Sequence, residues 1–150
     1  MVKVIKKMPY FRWVDSGDIN SPVLARKIWA VIIETPNTQH WLPTRSYKDA
    51  AILKQLRAIE NLPNVVVRYS SDSREGGRLD STQYKNNSTI IQSEDDFIPE
   101  KGYSLCRSGE RGGKCGSCRA CWSTAVSTVA YIAHGNKVNE KKFETDLILV

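Results

Sequence analysis

Every cysteine of the chain falls in YSLCRSGERGGKCGSCRACW, residues 103–122. The four thiols, Cys106, Cys115, Cys118 and Cys121, follow the pattern C-x8-C-x2-C-x2-C, with glycines and basic residues between them. Thiols this close can pair with one another, hold a metal centre, or stand free. Overlapping C-x2-C steps fold a short loop around a single point. A cubane cluster suits such a loop because its corners face different directions, and bacterial ferredoxins use a C-x2-C-x2-C run with one remote cysteine. Zinc more often takes two C-x2-C pairs on separate knuckles, or a mixture of Cys and His. The spacing therefore points first to a 4Fe-4S cluster held by all four cysteines, and second to zinc. Gly116, Ser117 and Ala120 are small enough to let the backbone approach sulfur and donate N–H bonds. Trp122 is placed to shield such a centre, while Lys101, Arg107, Arg111, Lys114 and Arg119 would offset the charge of the thiolates.

Disulfides are the weaker alternative. The stretch MVKVIKKMPYF at the amino terminus is basic but has neither the apolar core nor the small-residue cleavage site of a secretory signal. The expected compartment is a reducing cytosol, where disulfides are rare. No apolar run approaches the ~20 residues of a membrane-spanning helix, so no membrane partner is expected. The formal net charge of +6 is unevenly spread. Lys3, Lys6, Lys7 and Arg12 cluster near the start, a second basic group surrounds the cysteines, and the acidic run Glu94, Asp95 and Asp96 lies between. Such a surface can steer phosphate-bearing partners such as nucleic acid; read blandly, it is a solvated face.

The elements that would position these residues can be read in order. PYFRWV, residues 9–14, is short, aromatic and apolar, as a buried strand is. Ser21 or Asn20 can cap a helix that begins at Pro22, where a missing N–H costs nothing. Leu24, Ile28, Val31 and Ile32 give it an apolar face to about Glu34. TQHWLPTR, residues 38–45, reads as a second strand, with His40 packed in the core beside Trp41. Ser46 and Asp49 form an S-x-x-D start for a second helix carrying Ile52, Leu56 and Ile59. VVVRYS, residues 65–70, has the β-branched character of a strand covered on both faces. Alternating strands and helices predict an α/β fold with a small parallel sheet, the first three strands adjacent. Residues 73–102 are polar, with one strand expected at STIIQS. The last strand is expected over residues 126–134, and the tail NEKKFETDLILV is left open between helix and edge strand. The length suits a single domain over residues 1–150, with a β-α-β-α-β core at 9–72, the cysteine segment at 103–122 and the last strand at 126–134.

In a parallel sheet, ligands bind beyond the carboxyl ends of the strands. Asp15, Asp18, Arg45 and Asp72 follow the first three strands, with Ser16, Ser70 and Ser71 beside them and His134 closing the last strand. They are candidate catalytic or binding residues for a polar or anionic ligand whose identity the sequence does not give. The bland alternative makes Asp18 and Ser46 helix caps and the rest turn residues.

Taken together, FRWVDSGDINSP, TQHWLPTRS, NLPNVVVRYSSD, CGSCRACW and VAYIAHG, in that order over roughly residues 9–135, resemble a phage-encoded family, the gene product eighty-eight family. That resemblance implies a partial α/β barrel distantly similar to radical S-adenosylmethionine proteins. Longer members carry a further cysteine-bearing segment upstream of the SGD strand, so the resemblance also implies a chain truncated at its amino terminus, without a C-x3-C-x2-C of the radical type.

The leading expectation is a phage iron–sulfur protein whose cluster is structural or redox-active, with a ligand site on the strand-end rim. The alternative is a zinc-stabilised module that binds nucleic acid, or one that acts on a host protein by contact alone. An enzyme should show a deep pocket lined by Asp15, Asp18, Arg45 and Asp72. A nucleic-acid binder should show a continuous basic face with exposed aromatics.

Overall fold

The structure is a computed structural model and describes residues 1–73 and 76–133. Its centre is a six-stranded sheet in the order β1-β2-β3-β4-β6-β5, built from β1 (Tyr10–Arg12), β2 (Gln39–Thr44), β3 (Val65–Ser70), β4 (Asn87–Ile91), β5 (Tyr103–Cys106) and β6 (Thr128–Ile132). Every neighbouring pair is parallel, and the sheet curls into a half-barrel. The first three strands are adjacent and parallel, as the alternation of apolar runs and amphipathic stretches requires.

Two helices cover one face. α1 (Val2–Ile5) is a single turn tied down by the Thr38 hydroxyl, which donates to the carbonyls of Ile5 and Met8. α2 (Pro22–Ile33) starts where Ser21 Oγ accepts from Leu24 N and Pro22 takes the first position. α3 (Ala50–Glu60) is capped by Asp49, whose carboxylate accepts from the amides of Ala51 and Ile52 at 2.8 and 2.9 Å. Ser46 instead opens a short 3-10 turn, so the S-x-x-D signal marks the right place with the wrong cap. Ile28, Ile32, Ile52, Leu56 and Ile59 meet Leu42, Val65, Val67 and Tyr69 in one core. Asn64 locks this layer: its amide donates to the carbonyls of Ile32, Thr35 and Thr38, at and just beyond the end of α2.

Because side chains alternate along a strand, Trp41 and Arg68 point to the other face. There Trp41, Val129 and Cys121 form a second, smaller core, with Cys106, Ala120, Trp122, Val126 and Tyr131 packed against it. The segment between β5 and β6 supplies the cover.

Some elements differ from the reading of the sequence. β1 is shorter than residues 9–14, since Val14 takes a left-handed backbone (φ 51°) and turns the chain out of the sheet. The strand at STIIQS begins one residue earlier, at Asn87. β5 was not foreseen: four residues at a sheet edge carry too little alternation to declare themselves. The strand expected over 126–134 runs over Thr128–Ile132. His134 and the tail NEKKFETDLILV lie outside the described residues.

Candidate functional site

β5 and β6 are neighbours and parallel, so the chain must cross the full length of the sheet between them. Such a crossover is usually made by a helix, which satisfies its own backbone and buries an apolar stripe. Residues 107–127 contain no such helix, only short 3-10 turns at Gly109–Arg111 and Ala120–Trp122. Three of the four cysteines ride on this crossover, and Cys106 ends the strand that launches it.

Cys106 stands at the carboxyl end of β5, in register with Tyr131. Cys115 and Cys118 flank a turn in which Cys118 N donates to Cys115 O at 3.1 Å. Gly116 (φ 58°) makes that turn possible, because a side chain is disfavoured in the left-handed region. Cys121 is buried on the sheet, with its sulfur 3.4 Å from the Tyr131 hydroxyl. Burial pushes the Cys121 thiol up; the Tyr131 hydrogen bond and the Arg68 charge act against it, and Cys106 and Cys115 are near enough to raise it further. Burial also pushes the Tyr131 phenol up.

All four cysteines are free of disulfides. As placed, no three His, Cys, Asp or Glu side chains among the described residues gather closely enough to hold one ion. The donor set itself suits a thiolate-bound centre: reduced sulfurs only, spread along one helix-free segment. The basic residues around it are partly engaged elsewhere, since Arg107 pairs with Glu94 and Glu110 and Arg119 donates to the carbonyls of Gly116 and Cys118 at 2.7 Å.

Below the crossover lies a residue the sequence reading passed over. Arg68 is fully buried in β3. One terminal nitrogen donates to the carbonyls of Asn87 (2.9 Å) and Ser127 (3.4 Å). The other donates to those of Ala120, Ser123 and Val126 at 3.2, 3.3 and 3.1 Å. Burial lowers the pKa of Arg68 while Cys121 and Tyr131 act to raise it, and arginine keeps its proton in any protein setting. The signal was present in VVVRYS: one charge inside a run that must be covered on both faces.

Aromatic rings close the site on the β1 side. Trp122 packs edge-on to Trp41 and Tyr10, with centroids 5.1 and 5.7 Å apart, and its indole N–H donates to Phe11 O. Arg12 lies over Trp41 and Arg119 over Tyr10, at 4.8 and 4.4 Å. Trp122 is thereby held in the same cluster as Trp41, Cys106 and Cys121 on the second face.

The strand-end rim is brought together in part. Asp18 accepts from Ile19 N and Thr44 Oγ1 through one oxygen and from Arg45 N through the other, at 2.6–2.7 Å. It therefore stitches the loop after β1 to the end of β2 and is not a helix cap. Asp72 pairs with Lys48, whose ammonium and hydrogen bond hold its carboxyl below the usual range, with Arg45 adding to the effect. Ser70 Oγ accepts from Ser88 Oγ at 3.0 Å, and Ser71 is buried beside them. Asp15 departs from the group: it faces Arg12, and its side chain is 93% exposed, so it lines no closed cleft. Ser16 lies in the exposed loop after it. A hollow of about 310 Å³ lies at the opposite end of the sheet, lined by Arg57, Glu60, Lys85, Asn86 and Thr124 among others, and by none of Asp15, Asp18, Arg45 or Asp72.

His40 is a core residue. Trp13 Nε1 donates to its Nδ1 at 3.2 Å, so the proton sits on Nε2, which faces Thr35 Oγ1 at 2.9 Å. Thr35 Oγ1 in turn donates to Val31 O at 2.7 Å. Burial pulls the His40 pKa down to about 4.

The family model described as Gene product 88 matches residues 1–124. The chain belongs to this family of phage gene products. No curated protein and no solved structure matches it.

Proposed function

We propose that this member of the Gene product 88 family is an iron–sulfur protein, with Cys106, Cys115, Cys118 and Cys121 as ligands of a 4Fe-4S cluster. The observation that carries the reading is the crossover between β5 and β6. It holds no long helix, buries little besides Cys121 and its neighbours, and bears three of the four thiols. A segment without a core of its own is ordered when a metal ties it together, because binding and local folding are then one event. In the placement described the four sulfurs are not yet gathered, so the reading requires the Cys115–Cys118 turn to close toward Cys106 and Cys121. When bound, the cluster supplies one-electron chemistry or a structural cross-link. The chain's own residues do the rest: Trp122 and Trp41 exclude water, Tyr131 offers a hydroxyl to Cys121, and Gly116 permits the tight turn.

The half-barrel with its centre near the strand ends is the arrangement that a distant similarity to radical S-adenosylmethionine proteins implies, and that similarity is part of the proposal. The rim of Asp18, Arg45 and Asp72 is the second place where a ligand would sit. The test is a set of single Cys→Ala variants reconstituted anaerobically with iron and sulfide. Each is expected to lose the cluster signal. A variant that keeps it at full intensity would remove that cysteine from the ligand set.

One observation favours the alternative of a zinc-stabilised nucleic-acid-binding module. Tyr10, Arg12, Arg119 and Trp122 form a mixed aromatic and basic surface beside the cysteines, the composition that stacks bases and neutralises phosphates. Binding to single-stranded oligonucleotides that weakens steeply with salt, together with zinc in the purified protein, would favour this reading over the first.

A further inference from the structure

The sheet is unevenly zipped. β2 runs beside β3 from Val65 to Tyr69, but β4 meets β3 only at Tyr69 and Ser70. The hollow of about 310 Å³ lies along the amino half of β3, with Val65, Val66 and Val67 in its wall and Asn86, just before β4, at its inner end. The direction of the main chain there follows from the bonds on either side. His40 N donates to Asn64 O, so the even-numbered residues of this stretch turn their N–H and C=O groups to β2. Tyr69 N donates to Asn86 O and Ser71 N to Ser88 O, so the odd-numbered residues turn theirs to the β4 side. The N–H and C=O groups of Val65 and Val67 therefore face the hollow, spaced as a strand partner needs them.

The rest of the wall is charged. Arg57 comes from the last turn of α3, lies over the rings of Tyr69 and Tyr84, and donates to Gln83 O. Glu60 is already paired with Arg57 at 2.8 Å. Lys85, exposed on the rim, leaves the lining with a positive excess.

We propose that this hollow is a docking site for the carboxyl-terminal end of an extended peptide. Its main chain pairs with Val65 and Val67 in line with β4, and its carboxylate meets Arg57 and Lys85. Strand addition of this kind takes its affinity from main-chain hydrogen bonds. Val65–Val67 spans about 10 Å, room for roughly three residues. The positive lining selects a free chain end over an internal segment. The site contains none of the cysteines and stands apart from the iron–sulfur reading.

The experiment is an amide nuclear magnetic resonance titration of the full chain, wild type and Lys85→Gln. The probes are N-acetylated tripeptides of mixed sequence, once as free acids and once as carboxamides, with acetate as the simple anion. The free acids are expected to move the amide signals of Val65 and Val67 and to leave that of Val66, which faces β2. The carboxamides are expected to bind roughly tenfold more weakly, and Lys85→Gln to weaken the free acids about threefold. Lys85 is exposed, so that variant keeps the fold. Still signals at Val65 and Val67 overturn the proposal. Acetate that moves them as far as the free acids overturns it in favour of a small-anion site. Equal binding of acids and carboxamides, or no loss in Lys85→Gln, overturns the assignment to a chain end.

Discussion

The Trp13–His40–Thr35 chain runs in one direction only, and that fixes its response to pH. With Nδ1 accepting from Trp13, a second proton on the ring would meet a donor and destroy the contact. The folded pKa, about 4, lies below the ordinary histidine value of 6.5. The unfolded chain therefore binds the proton more readily between these values. Stability from this site is complete above about pH 6.5 and is lost as pH falls toward 4, up to roughly 3 kcal/mol. Urea melts across that range should show the midpoint falling with acid, and His40→Phe should flatten the dependence. At the rim, Asp18→Ala strands the Thr44 hydroxyl and the amides of Ile19 and Arg45. It is expected to cost about 1–3 kcal/mol in the same melts. Arg45→Ala removes an exposed side chain and should leave stability within about 0.5 kcal/mol. If a small anion binds at the rim, Arg45→Ala would abolish that binding without moving the melt.

Among the elements, α2 and α3 were legible because local chemistry and packing agree. Ser21 followed by Pro22 marks one start, and Ile52, Leu56 and Ile59 mark one face. Asp49→Ala should cost about 1 kcal/mol, read by thermal melting, since its carboxylate accepts two otherwise unpaired amides. β5 was not legible, and neither was the bend at Val14. Both depend on partners far along the chain: β5 exists because β6 is beside it. The approach of Gly102 to β6 has the same origin. Its carbonyl accepts from Thr128 N and Ser127 Oγ, and a Cβ there would stand 2.8 Å from Ser127 Oγ. The cysteine pattern was plain in the sequence, but its place as a crossover over the sheet's second face was not. That placement yields a prediction. Stripping the metal should open the amides of residues 107–127 to hydrogen exchange, while those of α2, α3, β2 and β3 keep their protection. Uniform protection before and after would show that the crossover is ordered without a centre.

At the scale of the molecule, one parallel sheet is closed on its two faces by unlike means. Helices and a continuous apolar core close the first; a short segment of cysteines, arginines and aromatics closes the second. The parallel order of the strands follows from the alternation of apolar runs and amphipathic stretches. The curl of the sheet and the buried charge of Arg68 do not, because both arise from how distant residues fill the second face. No helix of the described residues is long and apolar enough to cross a membrane. Whether the second face encloses a metal cluster is the claim on which the functional account turns. The direct measurement is iron and acid-labile sulfide in protein purified without oxygen, taken with its visible spectrum. The account predicts a brown protein with iron and sulfide in equal amounts, about four of each per chain. Colourless protein holding zinc, or no metal, would contradict it.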